Sequence, residues 1–299
     1  MLAAEKGPAD SRRGLLLGLV AVIIFALSLP MTRVAVGDAS SPELSPAFVT
    51  ALRAALAGAL SILYLFAVKA SRPPRDLWGS LGVSGLGTVV GFPVFLAFAL
   101  RDVHSMHAAV VTGVLPLATA VCGALYFRQR PSVWFWVCAV SGCALILTFA
   151  VQQGGGALVA GDWLLLGAVM SAAVGYIAGA RASSQMPAAH VICWILAVTF
   201  APAAALAWWL WPAGSASWQA WGAVVYLGAF PMWLGFFAWY RGMVLGGAVR
   251  VSQVQLVQPF LALLFAVPIA GETLDPLTII YSLAVILIVY LGKKTQIRG

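Results

Sequence analysis

The sequence predicts an all-α polytopic membrane protein of ten transmembrane helices in a 5+5 inverted repeat. Three observations carry that expectation. The chain is 62% hydrophobic and only 9% charged, a balance suited to helices surrounded by lipid. Apolar runs of bilayer length alternate with short breaks rich in Pro, Gly, Ser or charge. The two halves also carry related motifs in the same order.

The spans fall at roughly 14–36, 46–68, 78–100, 105–126, 133–151, 162–181, 190–211, 219–240, 247–270 and 276–292. The repeats are then residues 1–153 and 154–299, each holding five spans. Phe92, Pro93, Leu96 and Phe98 in the third span match Phe230, Pro231, Leu234 and Phe236 in the eighth. Pro116 in the fourth corresponds to Pro259 in the ninth. Five is odd, so two such repeats must be inverted, an arrangement typical of secondary transporters with a solute site between the halves.

Orientation follows from charge. With the N-terminus inside, 14 of the 17 basic residues lie on the cytoplasmic side; Arg33, Arg53 and Arg101 lie toward the outer side. Both termini are then cytoplasmic. The net charge of +8 reflects topology and attraction to anionic lipid, not nucleic acid. Ser11, Arg12 and Arg13 resemble a twin-arginine signal in outline, but nine further spans favour a basic flank. Cys122, Cys138, Cys143 and Cys193 sit in apolar runs without paired spacing, as small buried residues do.

The ninth span is the most informative. Ala248, Ser252, Gln255 and Pro259 share a helical face, and Pro259 leaves the Gln255 carbonyl without its usual donor. Such a defect survives in lipid only where protein or a water-lined cavity satisfies it. Pro93, Pro116 and Pro231 act likewise on the carbonyls of Val89, Thr112 and Leu227. Thr112 and Gln255 are thus polar at matched positions. Trp233, Phe236 and Tyr240 form an i, i+3, i+7 stripe that suits a flat or cationic ligand, against the plainer reading of core packing. Ser171 and Tyr176 in the sixth span and Ser28 in the first are further cavity candidates. Gly167, Gly175 and Gly179 permit close helix packing. Trp208, Trp209, Trp211, Trp218 and Trp221 read as an interfacial belt.

Few charges are expected inside. Arg53 reads as a partly buried tie to an outer acidic residue or helix end. His104, His107 and His190 lie near span ends, within reach of solvent. No Asp or Glu falls midspan, which favours uniport over proton antiport.

Ten spans in two inverted halves resemble the EamA-type branch of the drug/metabolite transporter superfamily. The first span is similar in its aromatic residue and its base, as Phe25, Ala26 and Arg33. The second shares Arg53 ahead of small residues, and the ninth ends in the family's Gly-Glu pair, Gly271 and Glu272. The first repeat departs there, with Arg128, Gln129 and Arg130. Within the branch, the chain resembles bacterial exporters of aromatic amino acids. The resemblance implies a non-enzymatic transporter in the bacterial cytoplasmic (inner) membrane, without cofactor, compatible with a monomer. Its partners would be lipid and a small molecule, an aromatic amino acid or organic cation, moved by alternating access. Alternatives are a sugar-phosphate or nucleotide-sugar exchanger and a small multidrug-type proton antiporter. The first wants two or more cations in its cavity, and the second a membrane carboxylate. A membrane-embedded enzyme or a channel ranks below these.

Overall fold

A computed structural model describes residues 8–38, 40–126, 130–153, 155–183, 185–246, 253–294 and 297–298. The architecture is helical. Eight helical stretches are long and apolar enough to cross a membrane: Arg12–Val36, Pro46–Ala67, Arg75–Asp102, Ser105–Tyr126, Trp136–Gln153, Ala160–Ser183, Ala188–Trp209 and Trp218–Gly242. The last two expected spans are represented by shorter apolar helices, Gln258–Ala270 and Pro276–Ile288. Among the described residues the only strands are two-residue segments, β1 (Arg130–Pro131) and β2 (Ile297–Arg298), paired antiparallel.

Several stretches change helix type along their length. The first two are plain helices, α1 (Pro8–Val36) and α2 (Pro46–Ala67). The third runs from a 3₁₀ turn at Arg75–Leu77 into α3 (Trp78–Gly85), then a π turn at Leu86–Gly91, then α4 (Phe92–Asp102). The fourth comprises α5 (Ser105–Thr112) and α6 (Leu115–Tyr126). After α7 (Val133–Gln153), α8 (Ala160–Ser183) and α9 (Ala188–Trp209), the eighth stretch repeats the pattern of the third. Its parts are α10 (Trp218–Ala229), a π turn at Phe230–Leu234 and α11 (Gly235–Gly246). A 3₁₀ turn at Gln253–Val257 then leads into α12 (Gln258–Ala270), and α13 (Pro276–Lys294) follows.

These interruptions revise the expected action of the prolines. Pro93, Pro116 and Pro259 are each the second residue of a new helix, where the missing N–H has no intrahelical acceptor to lose. Pro231 lies inside the second π turn. Both π turns close with five-residue bonds, from the Phe92 N–H to the Gly87 carbonyl and from the Gly235 N–H to the Phe230 carbonyl. The chain therefore re-registers at these points instead of bending one continuous helix.

Packing is paired. α2 lies along α9 and α7 along α13. α1 packs against α10, α11 and α12, while α8 packs against α3, the first π turn, α4 and α6. Small residues make these approaches possible. A Cβ on Gly87 would lie 2.5 Å from the Ser171 carbonyl oxygen, and one on Gly58 2.8 Å from that of Leu196. Two apolar clusters fill the interior, one around Phe48, Leu100 and Leu227, the other around Val22, Ile192 and Leu196. Ser45 and Ser217 cap their helices by accepting from the Phe48 and Ala220 N–H groups.

The tryptophan belt divides. Trp208, Trp209 and Trp218 are strongly exposed, as lipid-facing rings would be. Trp221 instead sets its ring 5.7 Å from Phe48 and 5.5 Å from Trp211, joining the core at the head of α10.

Candidate functional site

The interruptions converge inside the bundle. One cavity, about 30 Å³, is lined by Ser28, Phe92, Thr112, Pro116, Gln255 and Pro259 among others. A second, about 60 Å³, is bordered by Phe25, Arg53, Pro93, Tyr176, Pro231 and Phe236. Ser28, Phe92, Leu115 and Gln258 line both, so the two share a wall. Among the described residues, neither is lined by Asp or Glu.

The lining side chains differ in what they can still offer a solute. The Thr112 hydroxyl already donates to the Ala108 carbonyl at 2.7 Å, and the Ser28 hydroxyl to that of Phe25 at 2.5 Å. Both keep acceptor capacity. Gln255 and Gln258, half-buried, make no hydrogen bond among the described residues, leaving donor and acceptor available.

Other candidates lie elsewhere. Ser252 and Ala248 are outside the described residues. Ser171 borders neither cavity; its hydroxyl donates to the Gly87 carbonyl at 3.2 Å, tying α8 to the first π turn. The aromatic stripe splits. Phe236 lines the second cavity and sets its ring, tilted, 5.4 Å from both Phe25 and Tyr240. Tyr240 is buried behind it, while Trp233 packs on Phe237 at 5.0 Å with its indole N–H buried. The stripe assumed continuous α-helix, but Trp233 sits in the π turn and Phe236 and Tyr240 in α11. A change of helix type changes which residues share a face.

Arg53 differs most from expectation. It is 5% exposed, two turns inside α2, and borders the second cavity with its Nε buried and unpaired. No carboxylate lies within 4.0 Å of it among the described residues, so the expected acidic tie is not made there. The signal was in the sequence: a lone base well inside an otherwise apolar run.

One end of the bundle holds a third cavity of about 510 Å³, lined by Arg33, Asp38, His104, His107, Glu272 and Asp275 among others. Here charge meets partners. Arg33 donates through Nη1 to the carbonyl of Leu100, at the end of α4, and its Nη2 lies 3.6 Å from Asp38. The Ser40 hydroxyl, helped by backbone N–H groups and by Arg33, holds the Asp38 carboxyl below its usual range. Gly271 closes α12 at φ 66°, a left-handed turn that favours glycine. Glu272 then accepts from the Ser105 N–H at 2.6 Å, the Ser105 hydroxyl at 2.7 Å and the Met106 N–H at 2.9 Å. A carboxylate there answers the unpaired donors and the positive end of α5. His107, expected near solvent, is buried, with Nε2 2.6 Å from Asp162. Residues near the chain ends of spans are not solvated when a neighbouring helix covers them. His104, just ahead of α5, is well exposed.

The comparisons with known proteins agree with this architecture. The sequence matches the EamA-like transporter family over residues 12–150 and again over 159–292. The uncharacterized transporter YdeK of Bacillus subtilis is 38% identical over 282 residues, covering 93% of this chain and 96% of that protein. The aromatic amino acid exporter YddG of Ancylobacter novellus is 26% identical over 267 residues, 84% of this chain and 88% of its own. A protein crystal structure of 22% identity shares the fold, with a TM-score of 0.65 over 93% of this chain and 95% of that one. By a family match that recurs over both halves, and by a transporter relative aligned end to end, this multi-pass membrane protein belongs to the EamA-like transporter family.

Proposed function

We propose that the chain is a secondary transporter of the bacterial cytoplasmic membrane that exports small aromatic or amphipathic solutes, amino acids foremost, by alternating access. The observation that carries it is the meeting of two cavities where the interrupted helices converge. Discontinuous helices in membranes leave polar backbone and side chains free only where protein buries them or a cavity admits water, and in carriers such breaks form the solute site. The cavities have room for only a few waters, whereas pockets for small ligands begin near roughly 300 Å³. Admission of a solute therefore requires the walls to part, which is the motion alternating access supplies.

The ten-span reading, with inverted halves at 1–153 and 154–299 and both termini cytoplasmic, is part of the same proposal. It counts α12 and α13 as the ninth and tenth spans. It is supported by the family match over both halves and by the π turns ahead of Pro93 and around Pro231. Helix pairing supports it too. The first span packs on the eighth and ninth, and the sixth on the third and fourth, as a pseudo-two-fold exchange of halves requires.

The aromatic preference draws on the cavity's Phe25, Phe92, Tyr176 and Phe236, and on the exporter named among the relatives. A phosphorylated dianion fits less well, because Arg53 is the single cation among the described lining residues. Transport is proposed as uniport. A proton-coupled mode is the second reading, favoured by the buried His107–Asp162 pair.

Counterflow of labelled phenylalanine into proteoliposomes tests the carrier. Saturable exchange is expected, and linear, non-exchanging flux would leave a channel. An imposed pH gradient then separates the modes: uphill accumulation that follows the gradient would replace uniport with proton coupling.

A further inference from the structure

Among the described residues Arg53 is the one charged side chain bordering the two cavities, and none of them neutralises it. A buried charge without a partner costs several kcal/mol, and inside a membrane protein such a group ordinarily pairs or lines a path. Structural duty would show as a bond to a carboxylate or to a helix end, as Arg33 makes with Asp38 and Leu100. Arg53 makes none. Its guanidinium is planar, always charged and forked to match a carboxylate through two parallel hydrogen bonds.

From this geometry we infer that Arg53 is the anchor for a carboxylate on the transported solute. The solute class is then a monocarboxylate with a flat apolar body, either a zwitterionic aromatic amino acid or an aromatic acid, and not an organic cation. This deepens the proposed function and rests on its reading of the cavities as the solute path.

Three features support the assignment. Phe25, Phe92 and Phe236 stand beside Arg53 and would cover an aromatic body. Gln258 and Ser28, on the shared wall, offer neutral oxygen acceptors where an ammonium group would sit. With no acidic residue among the described lining residues, an organic cation without a carboxylate would meet Arg53 and find no counter-charge there. Like charges so placed repel, so the arrangement also discriminates against cations.

The test uses four probes that differ at one group: L-phenylalanine, L-phenylalaninamide, 3-phenylpropionate and phenethylamine. Wild-type protein in proteoliposomes should exchange labelled phenylalanine, with phenylalanine and 3-phenylpropionate competing. The amide and the amine should compete at least about tenfold less well, as loss of a charge-assisted bond implies. Arg53→Met should remove that preference while keeping or raising the melting temperature in detergent, since it takes an unpaired charge out of the interior. Arg53→Lys should retain part of the preference. Equal competition by all four probes in the wild type would overturn the anchor and leave the carrier standing. No exchange of any probe by folded wild type would overturn the aromatic solute class and the anchor with it. An Arg53→Met protein that loses its melting transition, or melts well below wild type, would assign Arg53 a structural role. The wild-type probe series then decides by itself whether a carboxylate is read.

Discussion

Charge is handled in opposite ways at the end of the bundle and in its middle. At the end, Arg33 meets Asp38 and the close of α4, His107 meets Asp162, and Glu272 receives three donors from the start of α5. In the middle, Arg53 meets no partner among the described residues, and Gln255 and Gln258 make no hydrogen bond there. Polar groups satisfied internally hold helices to one another, whereas unsatisfied ones around a cavity leave bonds for a visitor. The end therefore reads as a clasp and the middle as a site. Substitutions in the two regions should separate stability from transport.

The largest effect is expected at Asp162. It is 1% exposed and holds both His107 and the Val159 N–H. Asp162→Ala strands a buried imidazole and the Val159 N–H, and losing two hydrogen bonds to a charged acceptor costs about 3 kcal/mol or more. A clear fall in melting temperature should accompany loss of transport for every substrate alike. Unchanged melting with altered pH dependence of transport would move this pair from the clasp to the coupling machinery.

Glu272→Gln comes next. The amide keeps one acceptor but turns an NH₂ group toward donors on Ser105 and Met106. About 2 kcal/mol of destabilisation follows from one charge-assisted bond lost and one donor left facing another. Chemical denaturation in mild detergent measures it, and a neutral result would detach Glu272 from the hold on α5.

Gln255→Leu should behave in the reverse sense. Volume is roughly kept and no existing bond is broken, so melting should stay within about 0.5 kcal/mol of wild type. Transport should fall by as much as about tenfold, the range of one lost hydrogen bond at about 0.5–1.5 kcal/mol. A cysteine at 255, without the four native ones, should be labelled by a soluble thiol reagent and protected by phenylalanine. Wild-type transport in the leucine variant would take Gln255 off the path.

The smallest effect is expected at Ser171→Ala. It deletes a single 3.2 Å bond to Gly87 while leaving the close contact of α8 with the first π turn. About 0.5–1 kcal/mol of stability is at stake, with substrate preference unchanged. A shift in preference among aromatic probes would bring Ser171 back to the cavity.

Much of the lining of the two cavities that form the candidate site was legible in the residues, for a local reason. Thr112, Pro116, Gln255 and Pro259 stand out because polar residues and prolines are costly in a lipid-spanning run, and the structure gathers all four around one cavity with Ser28. Pro93, Pro231, Phe236 and Tyr176 gather around its neighbour. Trp233 and Ser171 were misplaced by the same logic, since a helical face drawn at constant pitch ignores the π turns and the helix packed beyond them. Arg53 was named but given the wrong kind of partner, because a sequence shows that a charge is buried without showing what stands opposite it.

By itself the sequence determined the helical membrane class, the order of apolar stretches, the related motifs in the two halves and the residues whose polarity lipid would not tolerate. These depend on properties of single residues and short windows: transfer cost, helix pitch and the missing N–H of proline. Only the tertiary structure decided that α1 and α8 each lean on an interrupted stretch with a π turn, that His107 is buried against Asp162, and that Arg53 has no partner among the described residues. Each of those turns on distances between residues separated widely in the chain. Such distances are set by how close two backbones come, as at Gly87 against α8, and local pattern carries no information about them.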